Sequence, residues 1–102
     1  MKAPTPDRII AATAKYFQFP IETIKDPSRK ERHIVYARHL ALYIAGDRLY
    51  MRGSSLAKLF GYKNHASIGY ANAKITAWLK DENSTHGRNT KRDINGILTN
   101  LK

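Results

Sequence analysis

Cysteine is absent from this chain of 102 residues. A disulfide framework and a cysteine-held zinc site are therefore excluded, and folding has to come from packing alone, as suits a reducing cytoplasm. Acids are scarce, eight against eighteen Lys and Arg, which leaves a net charge of +10. No pattern places two of those acids in a shared pocket, so paired-carboxylate chemistry has no support. His33 and His39 stand six apart, on different faces of any helix, and form no metal site. Ser54 and Ser55 have no general base at a nucleophile spacing. Long apolar runs are also missing. The longest, Leu40 to Ala45, is six residues, against the ~20 that a membrane span needs. The opening Met1-Lys2-Ala3-Pro4-Thr5-Pro6 has no hydrophobic signal region, so the sequon Asn83-Ser84-Thr85 reads as a polar loop. Together these absences predict no enzyme, no cofactor, no metal and no membrane, in the cytoplasm.

What is present fits one domain, residues 1–102, with a modest core. The hydrophobic share of 42% and the single Trp suit a globule rather than a disordered tail. The positive charge is uneven. Ser28 to His65 holds eight Lys or Arg against two acids, most of the excess in just over a third of the chain. Such a surface can simply be solvated. A membrane-surface helix would carry these charges opposite a bulky apolar face, whereas Arg29, Lys30 and Arg32 fall in a loop or at a helix start.

No strand alternation runs far, and the periodicity predicts an all-α chain of about six helices. Thr5-Pro6-Asp7 reads as N-cap, Pro at the first helical position and an acid in the first turn. The first helix then runs to about Gln18, with Ile9, Ile10, Thr13, Tyr16 and Phe17 inward and Pro20 as its stop. Ile21 to Ile24 is expected to be one short turn that buries both isoleucines. Lys25 to Arg32 is a basic loop. The third helix spans about Glu31 to Arg48. Its stripe of Ile34, Ala37, Ala41 and Ile44 is widened by Leu40 and Tyr43, as in a central buried helix, and Gly46 is expected to loosen or end it. Ser54 or Ser55 is expected to cap a fourth helix. Asp81 to Asn89 reads as a loop. Thr90-Lys91-Arg92-Asp93 reads as a capping box that opens a last helix with Ile94, Ile97, Leu98 and Leu101 inward.

The most informative stretch lies at about 54–80. Ser54 to Phe60 is a short apolar helix. Gly61 permits a turn, and Ile68, Ala71, Ile75, Trp78 and Leu79 recur at helical spacing. A short helix, a tight turn and a longer helix make the sequence form of a helix-turn-helix. The second helix would present its first residues, Asn64 to Ser67, to base edges in the major groove. The basic surroundings are the electrostatic setting that DNA binding needs.

Pro27 to Ile44, PSRKERHIVYARHLALYI, and Arg52 to Ile75, RGSSLAKLFGYKNHASIGYANAKI, resemble the C-terminal, DNA-binding domain of the DnaA family of bacterial replication initiators. That family typically reads S-x-x-R-x-x-x-I-V-x-P-R-Q-x-A-M-Y-L and then S-L-x-x-I-G-x-x-F-G-G-R-D-H-T-T-V-x-x-A-x-x-K-I. The resemblance covers about residues 7 to 101. It implies an all-α, Trp-repressor-like helix-turn-helix fold with an added basic loop that reads a short duplex site, the origin box. By alignment, Lys30 takes the position of a basic residue that reaches the minor groove, where the family usually has Arg. Arg38 and His39 match an Arg-Gln pair that contacts the DNA backbone. Ser54 stands where a Pro is often found. Lys63, Asn64, His65, Ala66 and Ser67 match R-D-H-T-T. Asn64, Ala66 and Ser67 depart from that signature, as do Ala37 and His39 from the Pro and Gln, Pro27 from the Ser, and Arg52-Gly53 from Ser-Leu. The full initiators also carry an ATPase module, and no G-x-x-x-x-G-K-[S/T] occurs here.

Two readings of Asn64 stay open: an N-cap of the fifth helix, or a bidentate contact to adenine. Ala66 can meet a thymine methyl or serve only as a helix former. His65 and Ser67 can bond phosphate or a base edge, or lie idle on the surface. The scattered tyrosines form no single-strand platform, and Trp78 reads as core. The expected function is sequence-specific binding of double-stranded DNA by a monomer at the nucleoid. Arg29, Lys30, Arg32, Arg38 and Lys63 would supply most of the non-specific affinity. Replication proteins are the second class of partner, for a module that kept the fold and lost box specificity.

Overall fold

A computed structural model describes residues 5–26, 28–50, 53–61, 66–81 and 83–101. Six helices follow one another: α1 Pro6–Phe17, α2 Ile21–Lys25, α3 Arg32–Leu49, α4 Gly53–Leu59, α5 Ala66–Lys80 and α6 Thr85–Asn100. No strand occurs among the described residues, so the all-α expectation holds.

α3 is the axis, packing against α1, α2, α4 and α5, while α6 closes the other side on α1 and α5. Its residues Ala37, Leu40, Ala41 and Leu42 are fully buried. Around them gather Ile9 and Ile10 of α1, Ile24 of α2, Leu56 of α4, Ile68, Ala71 and Ile75 of α5, and Ile97 of α6. Phe60, just beyond α4, is 0 % exposed and anchors the turn toward α5 in this core.

The ends show which local signals held. Thr5 caps α1, its hydroxyl accepting from the Arg8 N–H at 3.2 Å, with Pro6 at the first helical position. α1 stops at Phe17 because Gln18 turns left-handed, two residues before the Pro that cannot continue it. Gly61 has φ 74°, a conformation that glycine adopts without steric penalty, and this ends the α4 side of the turn.

Five local expectations are corrected. Ile24 is buried but Ile21 is 43 % exposed. A five-residue helix turns only one of two residues three apart fully onto its neighbour. Gly46 does not end α3, which runs to Leu49, one residue past the expected Arg48, and stops at left-handed Tyr50. α4 begins at Gly53, so Ser54 and Ser55 lie inside its first turn rather than capping it. The stretch 81–89 is not all loop. Ser84 caps α6, accepting from the Gly87 N–H at 2.9 Å, and the helix starts at Thr85. A Cβ on Gly87 would collide with the carbonyl oxygens of Asp81 and Trp78, which is how α6 folds back so closely on α5. Thr90 and Asp93, read as a capping box, are therefore interior helix residues, 1 % and 5 % exposed. The Asp93 carboxylate accepts from the Tyr16 hydroxyl at 2.8 Å and the Tyr36 hydroxyl at 2.7 Å. That tie joins α1, α3 and α6, and burial together with the carboxylate raises both tyrosine pKa values above the ordinary phenol.

Candidate nucleic-acid interface

The basic loop is built by three local devices. The Asp26 carboxylate accepts from the Ser28 hydroxyl at 2.6 Å and from the Ser28 N–H at 3.0 Å, and these bonds hold its pKa below the usual range. The Arg29 N–H donates to the Asp26 carbonyl at 3.1 Å, closing a turn. The third device comes from α3. The Arg38 side chain is 2 % exposed. Its Nε donates to the Ile24 carbonyl at 2.9 Å, and its Nη2 donates to the carbonyls of Asp26 and, at 3.1 Å, Arg29.

The loop sends its other cations outward. Lys30 and Arg32 are exposed. Arg29 pairs with Glu31 at 3.0 Å, an exposed contact worth little in stability that lowers the Glu31 pKa. Lys30 and Arg32 line one side of a groove of about 450 Å³, with His39 of α3 and Lys74 and Trp78 of α5 on the others. Lys74 holds its ammonium 5.1 Å from the Trp78 ring and 6.0 Å from the exposed Tyr70 ring, a cation–π geometry. Trp78 also stacks on His86 at 5.0 Å. The groove thus joins the loop to the flank of α5, and the cations on it outnumber the acids.

His39 is half-buried there. Burial first, then Lys74 and Arg38, lower its pKa to about 4. The ring is neutral at neutral pH and can give or take one hydrogen bond without adding charge. This has a consequence for stability. Above about pH 6.5 the folded and unfolded rings are both neutral. Between there and about 4 only the unfolded chain takes the proton, so stability falls as pH falls. With solvent screening at a half-exposed ring, the expected loss is about 1 kcal/mol. Urea denaturation of the parent and of His39→Gln at about pH 7 and about pH 5 measures it. The variant should lack this part of the acid loss, and equal losses would exclude the imidazole as its source.

The structure places the expected site residues differently. Lys30, Arg32 and His39 line one groove, and Arg29 precedes Lys30 in the same loop. Ser54 is exposed in the first turn of α4. Arg38 points inward instead. Lys63, Asn64 and His65 lie outside the described residues. Ala66 and Ser67 open α5, with their side chains outside the description. Both readings of Asn64 therefore stand where they were. Lys74 and Tyr70 were missed. The available signal was the series Tyr70, Lys74, Trp78, which puts one cation between two aromatics on a single face of α5. Among the described residues no group of His, Asp and Glu could hold a metal ion, and no helix is long and apolar enough to cross a membrane.

Residues 6–75 match the family described as the bacterial dnaA protein helix-turn-helix. Among similar proteins is the chromosomal replication initiator protein DnaA of Leifsonia xyli subsp. xyli, 29% identical over 86 residues, which is 84% of this chain and 18% of that protein. The protein of the same name from Corynebacterium aurimucosum is 31% identical over 94 residues, 92% of this chain and 16% of its own length. That from Ureaplasma parvum serovar 3 is 33% identical over 79 residues, 78% of this chain and 17% of its own. The chain spans less than a fifth of the length of each of these relatives.

Proposed function

Because the chain belongs to the bacterial DnaA helix-turn-helix family, we propose that it is a single DNA-binding domain that selects a double-stranded sequence as a monomer. The observation that carries this reading is a coincidence of position. The basic loop, the groove cations and the flank of α5 share one side of a helix-turn-helix whose second helix begins at Ala66. In this geometry the start of α5 enters the major groove, and Asn64, His65, Ala66 and Ser67 meet base edges or the nearest phosphates. Lys30 reaches the adjacent minor groove. Arg29, Arg32, Lys63 and Lys74 neutralise phosphates, and neutral His39 and the Ser54 hydroxyl add uncharged hydrogen bonds to the backbone.

The similar proteins are named as replication initiators, and this chain corresponds to a small part of them. Its own sequence has no phosphate-binding loop of the Walker type. It is therefore proposed as a non-enzymatic binder acting in the cytoplasm at the nucleoid. It would be either the reading head of an initiator or a regulator that competes for initiator boxes. Selection from random duplex DNA tests the proposal. A single enriched site, related to the family box but altered, is expected. No enrichment, or equal capture of single strands, would overturn it.

Lys30 supplies a finer check. Narrow A·T-rich minor grooves concentrate negative potential and attract a cation placed in them. Lys30→Ala should weaken binding about tenfold when the selected site is flanked by A·T pairs, and clearly less when the flank is G·C. Titration of both duplexes decides, and equal losses would make Lys30 an ordinary phosphate contact.

A further inference from the structure

We propose that Arg38 is a positioning residue that fixes where Lys30 stands relative to α5, not a contact to DNA. The binding arm of this proposal rests on the function proposed above, and the structural arm does not. A guanidinium has five N–H donors. Three of those on Arg38 point at carbonyls of Ile24, Asp26 and Arg29. These acceptors span the connection from the last turn of α2 to the residue before Lys30. At 2 % exposure the side chain has no free face for a phosphate, and reaching one would require the loop to open. The acceptors are carbonyl dipoles rather than a carboxylate in direct contact. A buried charge held this way is stable only while all its bonds are made.

The consequence is a fixed spacing. Arg38 projects from the fully buried middle of α3, between Ala37 and Leu40, and α3 packs directly on α5. The loop is therefore tied to the same rigid body that carries the second helix of the helix-turn-helix. The backbone from Asp26 to Arg29 has two further main-chain bonds, Asp26 N–H to the Thr23 carbonyl of α2 and Arg29 N–H to the Asp26 carbonyl, and the Ser28 contacts to Asp26, all between residues at most three apart. Only Arg38 connects that turn to α3 among the hydrogen bonds of the described residues. Without it the turn is left with those short-range bonds alone, which open readily at the surface, and it loses both its order and its place.

Arg38→Lys is the test. It keeps the charge, but one ammonium cannot span three carbonyls as the planar fork does. The companion Arg38→Gln is neutral and shorter. Amide hydrogen exchange on the free protein is the first readout. The Ser28 and Arg29 amides should exchange about tenfold faster or more in both variants, with α1 and α6 unchanged. Duplex titration of the full chain is the second. Arg38→Lys should remove the A·T-flank advantage as Lys30→Ala does, and should add almost nothing in the Lys30→Ala background. Unchanged exchange at Ser28 and Arg29 would overturn the proposal. So would equal losses with and without Lys30, together with a salt slope reduced by about one, the mark of a lost phosphate contact. If the parent protein binds no duplex at all, the function proposed above falls, and the exchange result still decides whether Arg38 holds the loop.

Discussion

Raising monovalent salt from about 50 to about 200 mM should weaken duplex binding by roughly 10²–10³-fold, with log K falling against log salt at a slope of about −4 to −5. Each neutralised phosphate releases condensed counterions, and the slope counts them at about 0.9 each on B-DNA. Composition alone supplies the charge for such a slope, +10 on 102 residues, but not the count. The geometry alters the count in two ways. Arg38 turns its donors inward to three carbonyls and, on the proposal above, contributes no phosphate contact. Lys74 takes its place in the tally, exposed on α5 beside Lys30 and Arg32 in one groove. Arg29 is partly offset by Glu31 at 3.0 Å, so the lower end of the range belongs to a state in which that pair survives. Anisotropy titrations at four or more salt concentrations read the slope directly. A slope near zero would remove DNA as the main partner. Lys74→Ala and Arg38→Lys then separate the two assignments, since only the first should flatten the slope by about one when tested in the Lys30→Ala background.

Helical periodicity made most of this fold legible. The apolar stripe of α3 and its widening by Leu40 foretold a central helix, and α3 is the element that packs on four others. What failed was punctuation. Gly46 reads as loosening or ending the last turn of α3, yet a glycine inside a helix costs only about 1 kcal/mol, and α3, packed on α4 and α5, runs on to Leu49. Thr90 and Asp93 matched a capping box by residue type. The true cap was Ser84, six residues earlier, because α6 has to start where Gly87 can lie against the end of α5. Local pattern cannot register such a long-range approach. The buried role of Asp93 was hidden for the same reason, its partners Tyr16 and Tyr36 being 77 and 57 residues away.

The candidate site was legible in a similarly uneven way. Charge clustering and the family resemblance both pointed to the loop, which holds Arg29 and Lys30 just before α3, with Lys30 and Arg32 exposed. The direction of a single side chain was not available from either source. Arg38 and His39 are neighbours in sequence, and α3 turns one into the protein and the other toward the groove. A rotation of about 100° per residue does this wherever the buried face of a helix ends between two positions. Arg38 is adjacent to the apolar stripe at Ala37 and Ala41, so its inward direction is consistent with the helix period. Its polarity hid this, because burial of a guanidinium depends on carbonyls supplied from another segment.

Giving Asn64 and Ala66 the residues of the family signature should change which DNA sequence the chain prefers. The family signature reads R-D-H-T-T, and residues 63 to 67 here read Lys-Asn-His-Ala-Ser. An aspartate at the second position can accept a hydrogen bond from cytosine N4. Asn64 offers one acceptor and one donor group and suits adenine N6 and N7. A threonine at the fourth position brings a hydroxyl and a methyl, whereas Ala66 keeps only a methyl for thymine. One well-made bond to a base edge is worth about 1–3 kcal/mol of discrimination, roughly 5- to 150-fold at the base pair concerned. Asn64→Asp together with Ala66→Thr, put through the same selection from random duplexes, should therefore move the enriched site toward the family box at the pairs facing α5. Pairs that face the loop should be unaffected, because Lys30 and its support are untouched. That internal control distinguishes a change in base reading from a general change in affinity. Circular dichroism on the double variant guards against the other reading of Asn64. As an N-cap, Asn and Asp are nearly equivalent, so a purely structural Asn64 predicts an unchanged fold and an unchanged site. An unchanged site in a folded double variant would assign both residues to the helix and transfer base recognition to His65, Ser67 and the exposed flank of α5.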